Sequence, residues 1–103
     1  MIRGTTPTLT MKLPSEVSVS DISSATISIE QSGKEKITKT LPKMDKDTET
    51  NTLSVKLEQE ESLSLSAKNK AFVQLKVKTT NGNVLASFPM PMVVTDIINE
   101  EVM

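Results

Sequence analysis

Polar and apolar residues alternate with a period of two along most of this chain. That period marks extended strands that bury one face and wet the other. Thr8-Leu9-Thr10-Met11-Lys12-Leu13 alternates without a break and stops at Pro14. Ala25-Thr26-Ile27-Ser28-Ile29-Glu30 repeats the pattern. Gln31-Ser32-Gly33-Lys34 then reads as a turn, because glycine accepts the positive φ that a tight reversal needs. Lys36-Ile37-Thr38-Lys39-Thr40-Leu41 follows, rich in β-branched residues and closed by Pro42, and the two runs together predict a hairpin.

Residues 43–52 form the most polar stretch and read as a loop of mixed charge. Leu53-Ser54-Val55-Lys56-Leu57 resumes the alternation. Glu58-Gln59-Glu60-Glu61-Ser62 has good helix formers and no β-branched residue, which predicts one helical turn with Leu63 and Leu65 tucked beneath it. The longest strand is Ala71-Phe72-Val73-Gln74-Leu75-Lys76-Val77-Lys78-Thr79, with Ala71, Val73, Leu75 and Val77 on one face. Asn81-Gly82 is the preferred dipeptide of a type I′ hairpin turn, so Val84-Leu85-Ala86-Ser87-Phe88 is expected to return antiparallel. Met92-Val93-Val94-Thr95-Asp96-Ile97-Ile98 reads as the closing strand. Pro89 and Pro91 each remove a ladder donor and make the stretch between them an edge or a bulged crossover.

Short strands at this spacing predict an all-β fold: an immunoglobulin-like antiparallel β-sandwich of about seven strands with at most one short helical turn. Its 103 residues fit a single domain, 1–103, with no linker or internal repeat. Phe72 and Phe88 are the only aromatic residues, so the core must be built from Leu, Ile, Val and Met.

Twelve basic and thirteen acidic residues are spread evenly, leaving no basic stripe to hold a phosphate backbone, and no nucleic-acid partner is expected. The opening Met1-Ile2-Arg3-Gly4-Thr5-Thr6-Pro7 lacks the apolar core of a signal peptide. No apolar run is long enough to span a bilayer, so no membrane association is expected. The expected location is the cytosol, or a larger particle assembled there.

Catalysis needs a proton carrier or nucleophile at a tuned pKa. The chain has neither His nor Cys, which rules out the familiar triads, thiol dyads and disulfides. Glu60 and Glu61 are adjacent, but sequence neighbours point in different directions, so they read as part of a solvated turn. The loop Asp45-Lys46-Asp47-Thr48-Glu49-Thr50-Asn51 resembles a calcium loop only in its first positions. Thr50 stands where that motif needs Gly, and Lys56 where it needs a bidentate Glu. Gly4, Gly33 and Gly82 are isolated turn residues, not a phosphate cradle. Sugar-binding sandwiches stack rings on Trp or Tyr, which are absent here. No catalytic, cofactor-binding or metal-binding residue, no cofactor and no small-molecule substrate is therefore assigned.

One segment points to a partner. Phe88-Pro89-Met90-Pro91-Met92 combines deformable methionines with a proline-broken strand, where irregular backbone at an edge can meet another chain. Phe88, Met90, Met92 and Phe72 are the candidate partner surface. The plainer alternative is that Phe88, Met90 and Met92 cap the core.

Several segments resemble small proteins encoded by phages and prophages of Gram-positive bacteria: Met1-Ile2-Arg3-Gly4-Thr5-Thr6-Pro7-Thr8, Gln31-Ser32-Gly33-Lys34, Val55-Lys56-Leu57-Glu58-Gln59-Glu60-Glu61-Ser62-Leu63, Gln74-Leu75-Lys76-Val77, Leu85-Ala86-Ser87 and Ile98-Asn99-Glu100-Glu101-Val102-Met103. A looser likeness runs to the N-terminal domain of the phage baseplate upper protein. It rests on a shared succession of a strand, an acidic turn before Leu, a long strand, a turn with Gly and a final strand. The resemblance implies a non-enzymatic structural or accessory protein, associated with the tail or baseplate. Its partners would be other phage tail or baseplate proteins or a second copy of itself, in the host cytoplasm or incorporated into the virion. The chain carries no receptor-binding extension, which argues against direct host recognition. The alternative is an intracellular phage or prophage regulator that binds one host protein.

Overall fold

A computed structural model describes residues 1–103. The alternating segments become eight strands: β1 (Thr8–Lys12), β2 (Ile22–Gln31), β3 (Lys34–Thr40), β4 (Met44–Asp47), β5 (Thr52–Lys56), β6 (Ala71–Thr79), β7 (Val84–Ala86) and β8 (Met90–Met92). One helix, α1 (Gln59–Leu63), and two 3-10 turns, at Val19–Asp21 and Leu41–Lys43, complete the elements. The strands form two antiparallel sheets. The smaller has the order β1-β5-β4; the larger has the order β3-β2-β6-β7, with β8 also paired to β6. β1 lies beside β5 and β2 beside β6, while the β1–β2 and β5–β6 connections both cross between sheets. That interlock is the immunoglobulin-like sandwich arrangement.

The interior lies between the facing sheets. Met11, Leu53 and Val55 come from one sheet, and Ala25, Ile27, Ile29, Ile37, Val73, Leu75 and Val77 from the other. β6 alternates buried and exposed residues from Ala71 to Lys78 without error, as a period of two requires. α1 carries a capping box, in which Glu58 takes the Glu61 amide and the Glu61 carboxylate accepts from the Glu58 amide at 2.7 Å. Leu65 is buried behind it and Leu63 is half-buried.

Three expectations need correction. Residues 43–52 are not a loop throughout, because Met44–Asp47 forms edge strand β4. It escapes notice because only Met44 of its four residues is buried. The Lys46 ammonium also donates to the Ile22 carbonyl at 3.0 Å.

The type I′ turn does not sit at Asn81-Gly82. Asn81 keeps a negative φ, and only Gly82 is left-handed, at +92°. Thr79 N–H donates to the Asn83 carbonyl and Gly82 N–H to the Thr79 carbonyl, closing a three-residue loop. The two-residue turn with both φ positive is Ser32-Gly33, at +56° and +77°.

Last, Met92–Ile98 is not the closing strand. The ladder ends at Met92. Residues 93–95 instead run parallel to the N-terminus: the Met1 ammonium donates to Val93 O at 3.0 Å, Thr95 N to Met1 O at 2.7 Å, and Arg3 N to Thr95 O at 2.9 Å.

Candidate interaction surface

The candidate surface is built on the β7–β8 edge, and its shape follows from one local defect. Thr79 pairs with Asn83, Val77 with Leu85, and Leu75 with Ser87, whose N–H donates to the Leu75 carbonyl at 2.8 Å. Below that point the register slips by one, because Val73 pairs with Met90 and Ala71 with Met92. Two residues, Phe88 and Pro89, therefore oppose the single residue Gln74, which makes a β-bulge. Pro89 has no N–H to give, and side chains repair the ladder. The Ser87 hydroxyl accepts from Leu75 N–H at 3.0 Å, and Gln74 Nε2 donates to Ser87 O at 2.9 Å. Pro91, opposite Phe72, has its nitrogen on the outer side of the edge, where no donor is required.

The bulge decides what becomes of the four residues singled out in the sequence. Phe88 lies at its tip and is 90% exposed, so it does not cap the core. Phe72 is on the outer face of the larger sheet, 37% exposed, between Glu30 of β2 and Pro91 of β8. Met90 and Met92 pair with the buried Val73 and Ala71 and so face inward. Met90 is 40% exposed at the rim, and Met92 packs against the core. The structure thus divides the set between Phe72 and Phe88, which are solvent-facing, and Met90 and Met92, which are turned toward the interior.

Beside Phe72 a shallow groove of about 140 Å³ is lined by Ser28, Glu30, Glu35, Gln74 and Pro89. It offers an aromatic face next to two carboxylates, which suits an extended or cationic side chain of a protein partner. A larger open cavity of about 390 Å³ lies between the Val19–Asp21 turn and the β6–β7 loop. Its walls are mainly hydroxyls, amides and the separate carboxylates of Glu16 and Asp21, with Val17 and Leu85 among them. Glu60 and Glu61 do not act as a pair, because Glu61 is engaged in the capping box and holds Lys39 at 2.7 Å. In the acidic loop, the Asp47 carboxylate accepts from the amides of Glu49 and Thr50 at 3.0 and 3.2 Å and so closes the turn itself.

Sequence reasoning missed three polar residues that hold the irregular connections of the fold in place. Arg3 donates to the carbonyls of Leu65 and Leu63 and pairs with Asp96 at 2.6 Å and Glu100 at 2.7 Å. The Ile97 amide, and then the Arg3 guanidinium, hold the Asp96 carboxyl below its ordinary value. Gln31 is buried and makes three hydrogen bonds to residues 66–69. Asn51, at φ +57°, ties the segment 14–19 to the β4–β5 turn. Only Asn51 left a trace in the sequence, since Asn tolerates the left-handed conformation better than most residues. The chain matches no protein-family model and no curated protein. No helix is long and apolar enough to cross a membrane.

Proposed function

We propose that this protein is a non-enzymatic phage structural or accessory protein, associated with the tail or baseplate, that acts through protein–protein contacts. The observation that carries the reading is the proline-bearing bulge that holds Phe88 90% exposed on a sheet edge, with Phe72 on the outer face of the neighbouring strand. A large ring kept in water on a fixed backbone gives up hydrophobic stabilisation that a docked partner would recover. The resemblance to phage and prophage proteins supplies the setting.

Mass spectrometry of purified virions tests the reading, with the protein expected at a stoichiometry comparable to known tail components. Abundance in infected cells together with absence from particles would refute the structural assignment. It would favour the regulator that binds a host protein, which a pull-down from host lysate would then identify.

A further inference from the structure

A β-sandwich of two open sheets has four edges, and natural sheets guard such edges with lysines, charge, prolines or bulges. The edge strand β3 carries Lys34, Glu35, Lys36 and Lys39. β4 carries Asp45, Lys46 and Asp47. The β7–β8 edge is broken by the bulge, Pro89 and Pro91. β1 has only one such device, the charge of Lys12: Thr8-Leu9-Thr10-Met11-Lys12 is regularly paired to β5 on one side, with no bulge and no proline.

Its hydrogen-bonding parity is set at both ends. Leu57 N–H donates to the Pro7 carbonyl and Leu13 N–H to the Asn51 carbonyl, so the odd-numbered residues face β5. Thr8, Thr10 and Lys12 therefore turn their N–H and C=O groups to the open side. Next to this edge the sandwich is unroofed. An apolar slot of about 140 Å³ opens between Leu13, Pro14 and Val17 on one side and Leu75, Val77 and Leu85 on the other.

We infer that β1 pairs antiparallel with β1 of a second copy of this chain, about a two-fold axis through Thr10. In that register residue numbers across the interface sum to twenty, so Thr8 faces Lys12 of the other copy and Thr10 faces its symmetry mate. Each of these pairs exchanges two hydrogen bonds, which satisfies every open group on both edges. The single charge, Lys12, meets Thr8 and not another lysine.

The same register explains the slot. Pro7 of one copy falls opposite Leu13 of the other, and it shares the inward parity of Leu9, Met11 and Leu13, so its ring enters the apolar opening. One occupant accounts for both the bare edge and the unroofed core, and the result is a continuous six-stranded sheet, β4-β5-β1-β1-β5-β4. A strand from an unrelated protein has no comparable reason to fit both features at once. The pairing stands apart from any role in a virion, and the virion experiment above neither supports nor refutes it.

The test uses the full chain. Because the protein has no cysteine, Thr10→Cys introduces a single thiol at the axis. Hydrogen-bonded antiparallel partners sit about 5.5 Å apart at Cα, within the roughly 4.4–6.8 Å that a disulfide spans. Mild oxidation is expected to cross-link T10C to itself, and to leave the single variants Thr8→Cys and Lys12→Cys mostly monomeric. Sedimentation equilibrium of the unmodified chain is expected to show a monomer–dimer equilibrium. Thr10→Lys, which sets two ammonium groups opposite each other, should raise its dissociation constant roughly five- to tenfold, an effect relieved by salt. Circular dichroism of T10K checks that the fold survives, and the cysteine series answers the question independently if it does not. A strictly monomeric protein, a dimer indifferent to T10K, or equal cross-linking of T8C and T10C would each overturn the inference.

Discussion

Replacing Gln31 tests how a sandwich with so small a core holds a long irregular connection in place. Gln31 ends β2 on the inward face, in the row Ala25, Ile27, Ile29, and its side chain is only 2% exposed. Its Nε2 donates to the carbonyls of Ser66 at 2.6 Å and Asn69 at 2.8 Å, and its Oε1 accepts from Ser66 N–H at 2.7 Å. Those three bonds stand in for secondary structure in the α1–β6 connection. Gln31→Leu keeps the bulk and removes all three. Asn69 O reaches water, but the Ser66 groups are half-buried and lose partners they cannot fully replace. The expected loss is about 2–4 kcal/mol. A domain of this size has a total stability of roughly 5–15 kcal/mol. With a urea m-value of about 1–2 kcal/mol/M, the unfolding midpoint should fall by about 1–4 M with m unchanged.

Gln31→Glu separates hydrogen bonding from packing. Burial beside two carbonyls raises that carboxyl above its unfolded value, so Q31E should be least impaired in acid, where the group is neutral and donates once. It should weaken as the pH rises toward neutrality. A midpoint shift below about 0.3 M for Q31L, or a Q31E penalty independent of pH, would refute the reasoning.

Asn51→Ala removes three side-chain hydrogen bonds and leaves a Cβ residue at φ +57°, and should cost about 2–4 kcal/mol by denaturant unfolding. Asn51→Gly relieves the backbone strain and should cost less. The Asp96 carboxyl is held below its ordinary value of 3.8, so its contact with Arg3 is fully formed above that pH and is lost as the pH falls through the lower folded-state value. Amide exchange at Thr95 and Ile97 should accelerate selectively in that acid range, and Asp96→Asn should reduce the pH dependence, the Arg3–Glu100 pair remaining.

The parts of the fold that were legible are those in which one face is dry. β6 runs from Ala71 to Thr79, as its alternation requires, β2 contains the run expected of it, and β3 and β5 each stop one residue short of theirs, at Thr40 and Lys56. Two-sided exposure hides the rest. β4 buries one residue in four and shows no period; β7 buries none, and it was the turn before it, not a period, that marked it as the returning strand. Turn chemistry misled for a different reason. Asn-Gly favours a type I′ turn, but the Thr79–Asn83 pairing leaves three residues to connect, and Asn81 then takes an ordinary φ. For the candidate surface, Pro89 and Pro91 announced an irregular edge, which the structure has. The one-residue register slip that carries Phe88 outward and leaves Met92 against the core depends on which β6 residue Met90 meets, and no local pattern encodes that. The contacts of Arg3, Gln31 and Asn51 were not legible because their partners lie between about thirty and nearly a hundred residues away in sequence.

The edges of the two sheets set where this protein can meet others. β3 and β4 are closed to strand addition by charge, and Lys46 is further anchored across to Ile22. The bulged β7–β8 edge cannot extend a ladder either, because prolines and repaired bonds consume its regularity, but it presents a ring to solvent. β1 has the reverse character, with open backbone groups and no bulge or proline to interrupt them. These two permissive edges border the same slot, since its walls include Leu13 at the end of β1 and Leu85 of β7. A second copy laid along β1 therefore approaches the edge that bears Phe88, and binding at one becomes thermodynamically linked to binding at the other. The linkage has a measurable sign: a partner that competes for the flank must dissolve the dimer as it binds, and one that docks across both copies must tighten it.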